Sequence, residues 1–144
     1  MATEPLRNGD VGPGALDNLA LRFDGDLGDV TRARLAALDL LGALARADPP
    51  RAAEHLDDVV LVVAELAANA VQYAPGPFVL RLRRTYDGVH VSLRDSSPRP
   101  PAPRPFNPAS GTGGIGWHLI HALADQVSVV PDGEGKDVHV FLPW

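Results

Sequence analysis

The chain contains no cysteine, which excludes disulfides and thiolate metal sites. It also lacks a run of about 18 apolar residues, the length that a membrane-spanning helix requires. The opening sequence MATEPLRNGDVGPG is polar and does not resemble a signal peptide. From these absences we expect a cytoplasmic protein with no membrane partner.

A positive net charge is also absent, since the 144 residues carry a formal charge of -5. Such a charge gives no broad attraction to nucleic acid, so we expect no direct nucleic-acid partner. Hydrophobic residues make up 45% of the chain and charged residues 22%, which is typical of globular proteins. The length is near the commonest domain size, and the first residues show no periodicity. We therefore predict a flexible leader over residues 1–18 and one domain over residues 19–144.

Several common catalytic motifs are missing. No G-x-x-x-x-G-K-[ST] sequence is present to form a P-loop, and no G-x-S-x-G sequence is present to place a hydrolase serine. His118 and His121 lie one turn apart on a predicted helix, but no third ligand for zinc is evident. The sequence therefore gives no support to a P-loop enzyme, a serine hydrolase or a zinc enzyme.

Hydrophobic periodicity predicts an α+β fold of helices packed on an antiparallel-rich sheet. Asp29 is the expected N-cap of the first helix, and Asp87-Gly88 is a strong hairpin turn. In chain order we predict a strand over Leu19–Phe23, helices from Asp29 to Asp48 and from Ala53 to Tyr73, strands over Phe78–Tyr86 and Val89–Arg94, a helix over Trp117–Ala124, and strands over Val127–Val130 and Val138–Leu142.

Prolines interrupt the segment between Ser96 and Ser110 at positions 98, 100, 101, 103, 105 and 108. Proline at this density excludes a regular helix or a central strand. Long irregular connections inside a compact domain are usually functional or disordered. We predict a lid here.

Glu65 and Asn69 are four residues apart on the second helix, so they are neighbours on one side of it. That side lies opposite the main apolar face, and a solvated polar surface is one interpretation. Leu61, Val62 and Ala68 flank the pair, which favours a ligand or lid over it. An amide oxygen can bind Mg²⁺, and a carboxylate can accept a proton from an attacking hydroxyl or water.

A glycine-rich run precedes the third helix, and its free backbone N–H groups can approach phosphate oxygens closely. Its residues are Gly111, Thr112, Gly113, Gly114 and Gly116. A flexible hinge is the alternative. The run also matches G-x-G-x-x-G, with Asp132 as a possible ribose-binding acid, but no strand precedes the first glycine as a dinucleotide site requires.

Two charged residues occupy notable positions. Asp95 ends the second strand of the central hairpin, where a carboxylate either accepts a hydrogen bond from a base amino group or forms a turn. Arg34 is predicted within the apolar stripe of the first helix, where it pairs internally or faces a partner protein.

Together, E-L-A-A-N over 65–69, Asp95, the lid and G-T-G-G-I-G over 111–116 resemble the boxes of the histidine-kinase-like (Bergerat-type, GHKL) ATPase superfamily. The ending G-K-D-V-H-V-F-L-P is similar to that of the anti-sigma factor serine kinases, actinobacterial type. The resemblance implies a two-layer α/β sandwich with a mixed, mostly antiparallel sheet, helices on one face and an ATP lid.

The resemblance also implies roles for the site residues and the cofactors ATP and Mg²⁺. Glu65 would be the general base, Asn69 the Mg²⁺ ligand, Asp95 the adenine reader, and the glycine run the phosphate cradle. The implied reaction moves the γ-phosphoryl group to a serine or threonine of an anti-anti-sigma (STAS-type) partner. The implied kinase also sequesters a sigma factor, commonly as a homodimer.

The sequence departs from the family pattern in two places. The family has D-x-G-x-G where this chain has Asp95-Ser96-Ser97-Pro98-Arg99, and Asp137 stands where a threonine often helps to hold the base. Both changes are expected at the adenine end of the site. The alternative function is therefore a partner-binding switch module with weak or absent nucleotide binding.

Overall fold

The computed structural model describes residues 4–5, 18–99 and 115–144 and confirms the α+β class. Apart from β1, which was not predicted, the elements begin and end within a few residues of the predicted bounds. They are β1 (Glu4–Pro5), β2 (Asn18–Phe23), α1 (Asp29–Ala47), α2 (Glu54–Tyr73), β3 (Phe78–Arg84), β4 (Gly88–Asp95), α3 (Ile115–Leu123), β5 (Gln126–Pro131) and β6 (Lys136–Pro143).

The strands form one sheet in the order β1-β2-β3-β4-β6-β5. Every pairing among the described strands is antiparallel, so the mixed pairing that we expected is not found there. Strand β1 falls within the predicted leader, yet Glu4 pairs with Arg22 and Pro5 with Leu21. The other leader residues before Asn18 lie outside the described residues.

The core lies between one face of the sheet and the helices. Side chains alternate along each strand, so every second residue faces the helix layer. Helix α2 lies over β4 and β6 and also contacts α1 and α3. Because it has neighbours on several sides, its buried residues extend beyond the main apolar face to the flank of the polar pair. Val62, expected beside the polar pair, is fully buried, whereas Leu61 is 38% exposed.

The predicted N-cap at Asp29 is wrong. Asp29 is the first helical residue of α1, and the capping position is taken by Gly28, which has no side chain to cap with. The fully buried Asp29 carboxylate instead accepts hydrogen bonds from the backbone N–H groups of Gly25 (3.0 Å) and Asp26 (2.9 Å), and from the Arg32 guanidinium (2.7 Å). It therefore fastens the β2–α1 connection to the helix.

Asp29→Ala is expected to lower the free energy of unfolding by about 2–3 kcal/mol, because two backbone N–H groups lose their acceptor. Urea denaturation measures this change. Asp26→Ala is the control, since the exposed Asp26 side chain makes no such contacts and should change stability by less than about 0.5 kcal/mol. Equal losses in the two variants would contradict the assignment.

Arg34 does not lie in the apolar stripe of α1, contrary to our expectation. It is exposed, and the buried stripe consists of Ala33, Ala37, Leu41 and Leu44, with Val30 half-buried beside it. Because Arg34 is not buried, the reason for expecting it to form an internal ion pair no longer holds.

Candidate functional site

Glu65 and Asn69 lie one turn apart on α2, and both are half-buried. Neither side chain forms a hydrogen bond or an ion pair with another residue in the described part of the chain. A carboxylate and an amide oxygen are thus left available side by side on the helix that occupies the centre of the fold.

The start of α3 lies directly against Glu65. Gly116 is buried there, and a Cβ at this position would overlap the Glu65 carboxylate, with the carboxyl carbon at 3.0 Å. The glycine therefore allows the backbone of α3 to approach the carboxylate, which the sequence did not indicate. Gly111, Thr112, Gly113, Gly114 and the lid from Pro100 onward lie outside the described residues, so their predicted contact with phosphate stays a prediction.

The electrostatic surroundings of Glu65 suit proton transfer. Burial raises the pKa of the Glu65 carboxyl above its ordinary value, because desolvation disfavours the charged form. A carboxylate with a raised pKa accepts a proton more readily than one with the ordinary pKa. Such a group in a partly covered position is typical of a functional site.

Glu65→Gln is expected to raise the melting temperature at pH 7 by about 1–3 °C, because an ionised carboxylate no longer has to be desolvated. The folded pKa is raised, so the stability that Glu65 contributes is complete below its ordinary pKa of 4.5 and is lost as pH rises through the folded value. The gain should therefore vanish in scans below about pH 4. Glu134→Gln, at an exposed turn, should show no such dependence. A gain of equal size at both pH values would contradict this explanation.

Asp95 ends β4 as a buried residue with its hydrogen-bonding positions largely used. Its carboxylate contacts the Lys136 ammonium at 2.8 and 3.0 Å and accepts a hydrogen bond from the backbone N–H of Ser97 at 2.9 Å. Lys136 also donates to the Ser97 carbonyl at 3.1 Å. The residue predicted to read adenine therefore forms an internal ion pair.

Lys136 is the only lysine in the chain, and we did not single it out from the sequence. One signal was present: Lys136 is in period-two register with Val138, Val140 and Leu142, whose apolar side chains mark the core face of β6. A lysine on that face is unusual, because lysine is rarely buried without a partner.

Asp137 is not at the adenine end. It follows Lys136 by one residue on β6, so it faces the opposite side of the sheet, where it contacts the Arg94 guanidinium at 3.1 Å. Arg94 also contacts Asp132 at 2.9 Å.

Asp132 accepts hydrogen bonds from the backbone N–H groups of Glu134 and Gly135, and the first of these is the main cause of its lowered pKa. Asp132 therefore shapes the β5–β6 turn, and nothing places it as a ribose ligand.

The site has two ends along α2. Glu65 marks one end, beside α3, and Asn69 lies one turn further along the helix. The helix ends at Tyr73, roughly 12 Å beyond Glu65 at 1.5 Å per residue. Just past that point the Ser96 hydroxyl donates to the Pro75 carbonyl at 3.2 Å, so Asp95 belongs to the other end.

The two histidines of α3 lie at the surface of the described structure. His118 and His121 are exposed, and the ring of His121 packs edge-on against Trp117 with centroids 4.8 Å apart. Within residues 4–5, 18–99 and 115–144, no group of three or more His, Asp or Glu residues is placed to hold a metal ion. Among the same residues, no helix combines the length and the apolar character needed to cross a bilayer.

Helix α2 thus carries Glu65 beside the start of α3, above an antiparallel sheet, and no described residue bonds to the Glu65 carboxylate or the Asn69 amide. Residues 23–141 match the family model of the histidine kinase-like ATPase domain. Because this match covers most of the sequence, the chain belongs to the histidine kinase-like ATPase family.

Solved structures include similar chains. Thirteen chains match, among them the histidine kinase domain of a blue-light activated histidine kinase from Erythrobacter litoralis EL346, with 19% identity and a TM-score of 0.46. That alignment covers 77% of this chain and 60% of the other, so this chain spans less than two thirds of the protein it matches. A search among curated proteins finds no match.

Proposed function

We propose that the chain is an anti-sigma factor with protein serine/threonine kinase activity. In this proposal it transfers the γ-phosphoryl group of a bound Mg-nucleotide to a hydroxyl of an anti-anti-sigma (STAS-type) partner. Without that transfer it sequesters a sigma factor, as a homodimer. Membership of the histidine kinase-like ATPase family supports a nucleotide-binding, kinase-like module. The observation that carries the proposal is the half-buried Glu65 carboxylate beside Gly116, without a hydrogen-bond partner among the described residues.

Glu65 and Asn69 have the side-chain chemistry that the metal end of a bound Mg-nucleotide requires. Bound Mg-nucleotide supplies the transferable phosphoryl group and neutralises its charge. The Asn69 amide oxygen would be the protein ligand for Mg²⁺, an ion that usually takes only one or two ligands from the protein itself. Glu65 accepts the proton of the partner hydroxyl while that oxygen bonds to the γ-phosphorus and the bond to the leaving diphosphate breaks.

Two measurements on the purified chain test the proposal. Saturating Mg-ATP should raise the melting temperature, since a ligand present at 100 times its Kd stabilises the native state by about 2.7 kcal/mol. Label from γ-phosphate-labelled ATP should appear on a serine or threonine of a STAS-type protein encoded beside this chain. Such a label is acid-stable, whereas a label on histidine is not. The absence of both the shift and the label would overturn the proposal.

A second candidate is a switch module that binds its partner without using the nucleotide. The Asp95–Lys136 ion pair favours it, because the carboxylate predicted to hold the base is already bonded to an ammonium. This candidate predicts that Mg-ATP leaves the affinity of the chain for the sigma factor unchanged. The kinase hypothesis predicts that the affinity changes with nucleotide.

A further inference from the structure

The Asp95–Lys136 pair is enclosed by protein. The side chains are 5% and 7% exposed, respectively, and the two residues are direct neighbours across β4 and β6. The β5–β6 turn also lies directly against the end of β4, since a Cβ at Gly135 would overlap the backbone oxygen of Asp95. A base that approached the Asp95 carboxylate would therefore have to displace protein atoms rather than water.

The hydrogen bonds of the pair are also nearly complete. The Lys136 ammonium is bonded to both Asp95 oxygens and to the Ser97 carbonyl, so its donors are engaged. One Asp95 oxygen accepts from Lys136 and from the Ser97 N–H. The Lys136 ammonium thus donates to the carboxylate oxygens to which the amino group of a base would otherwise donate. Since Lys136 is the only lysine in the chain, no other lysine substitutes for it.

The two ends of the site therefore differ in what they offer a nucleotide. No described residue bonds to the side chains of Glu65 and Asn69 at the phosphate and metal end, whereas the base end presents an ion pair that is already satisfied. Breaking this pair to admit a base amino group would leave a buried charge without its partner, which costs more than one new hydrogen bond returns.

We propose that Lys136 closes the base end of the site, so that the chain binds Mg-nucleoside triphosphates through the phosphate chain with little discrimination between bases. This inference rests on the proposed nucleotide site. The substrate class is then the triphosphate group itself, and inorganic tripolyphosphate with Mg²⁺ competes for the same site.

Calorimetry on the wild-type chain tests this selectivity without any substitution. The ligands are Mg-ATP, Mg-GTP and the Mg complex of purine riboside triphosphate, which lacks the amino group of adenine. We expect their dissociation constants to agree within about threefold, because a hydrogen bond to a charged group is worth about tenfold or more and none is made here. A preference above about tenfold for either ATP or GTP would overturn the inference.

Lys136→Thr tests whether this side chain is the cause. The shorter side chain frees Asp95 and leaves room for water, so the preference for ATP over purine riboside triphosphate should rise by about tenfold. A folded variant with an unchanged preference would overturn the role of Lys136. If this variant does not fold, the wild-type comparison still decides the inference. Failure of all three nucleotides and of tripolyphosphate to bind would instead overturn the proposed nucleotide site.

Discussion

Glu65→Gln is expected to reduce phosphoryl transfer by about 10²–10⁴-fold, the range by which a positioned general base accelerates a reaction. Glutamine keeps the shape of the side chain but cannot accept the proton of the partner hydroxyl. Nucleotide affinity should stay within about threefold of wild type, because proton acceptance by Glu65 stabilises the transition state and not the bound ground state. Single-turnover transfer from labelled ATP, together with calorimetry, separates the two quantities.

A matched control for this variant lies on the same helix. Glu54→Gln makes the identical chemical change at the exposed start of α2, away from Gly116, and should leave both transfer and binding unchanged. Transfer that survives Glu65→Gln would show that Glu65 is not the base. A loss of binding as large as the loss of transfer would show that Glu65 holds the nucleotide instead.

The local part of the fold could be predicted because it depends on periods that the sequence displays. Period-two alternation gave β2 to β4 and β6, and the 3.6-residue period gave α1 and α2 within a residue or two of their ends. The Glu65–Asn69 neighbourhood follows from the same helical period, since residues four apart share a face. None of these features requires knowledge of which elements meet in space.

The closed base end could not be predicted, because it depends on contacts between distant parts of the chain. Asp95 and Lys136 meet only because β4 pairs with β6 in one register, across 41 positions of sequence. A shift of one residue would have put Asp137 in place of Lys136 on the helix side of the sheet, beside Asp95. The contact of Gly116 with Glu65 likewise depends on how α3 packs against α2.

The pairing of Asp95 with Lys136 across β4 and β6 predicts that loss of the lysine strongly lowers stability. Lys136→Met should lower the free energy of unfolding by about 3–5 kcal/mol, because the Asp95 carboxylate is left buried without its counter-charge. The double variant Asp95→Asn/Lys136→Met should recover most of this loss. Its asparagine is neutral and its amide oxygen still accepts from the Ser97 N–H. Urea denaturation of the single and double variants measures both changes.

The control for this experiment is Arg94→Met. Arg94 is next to Asp95 on β4, but its side chain faces the other side of the sheet. Arg94 pairs with Asp132 and Asp137 in contact with water, where solvent screens the charges, so its removal should cost much less than removal of Lys136. Equal losses for the two variants, or no recovery in the double variant, would contradict a buried pair at the base end. In that case the Asp95 carboxylate would be open to solvent, and the reason for expecting weak base discrimination would be lost with it.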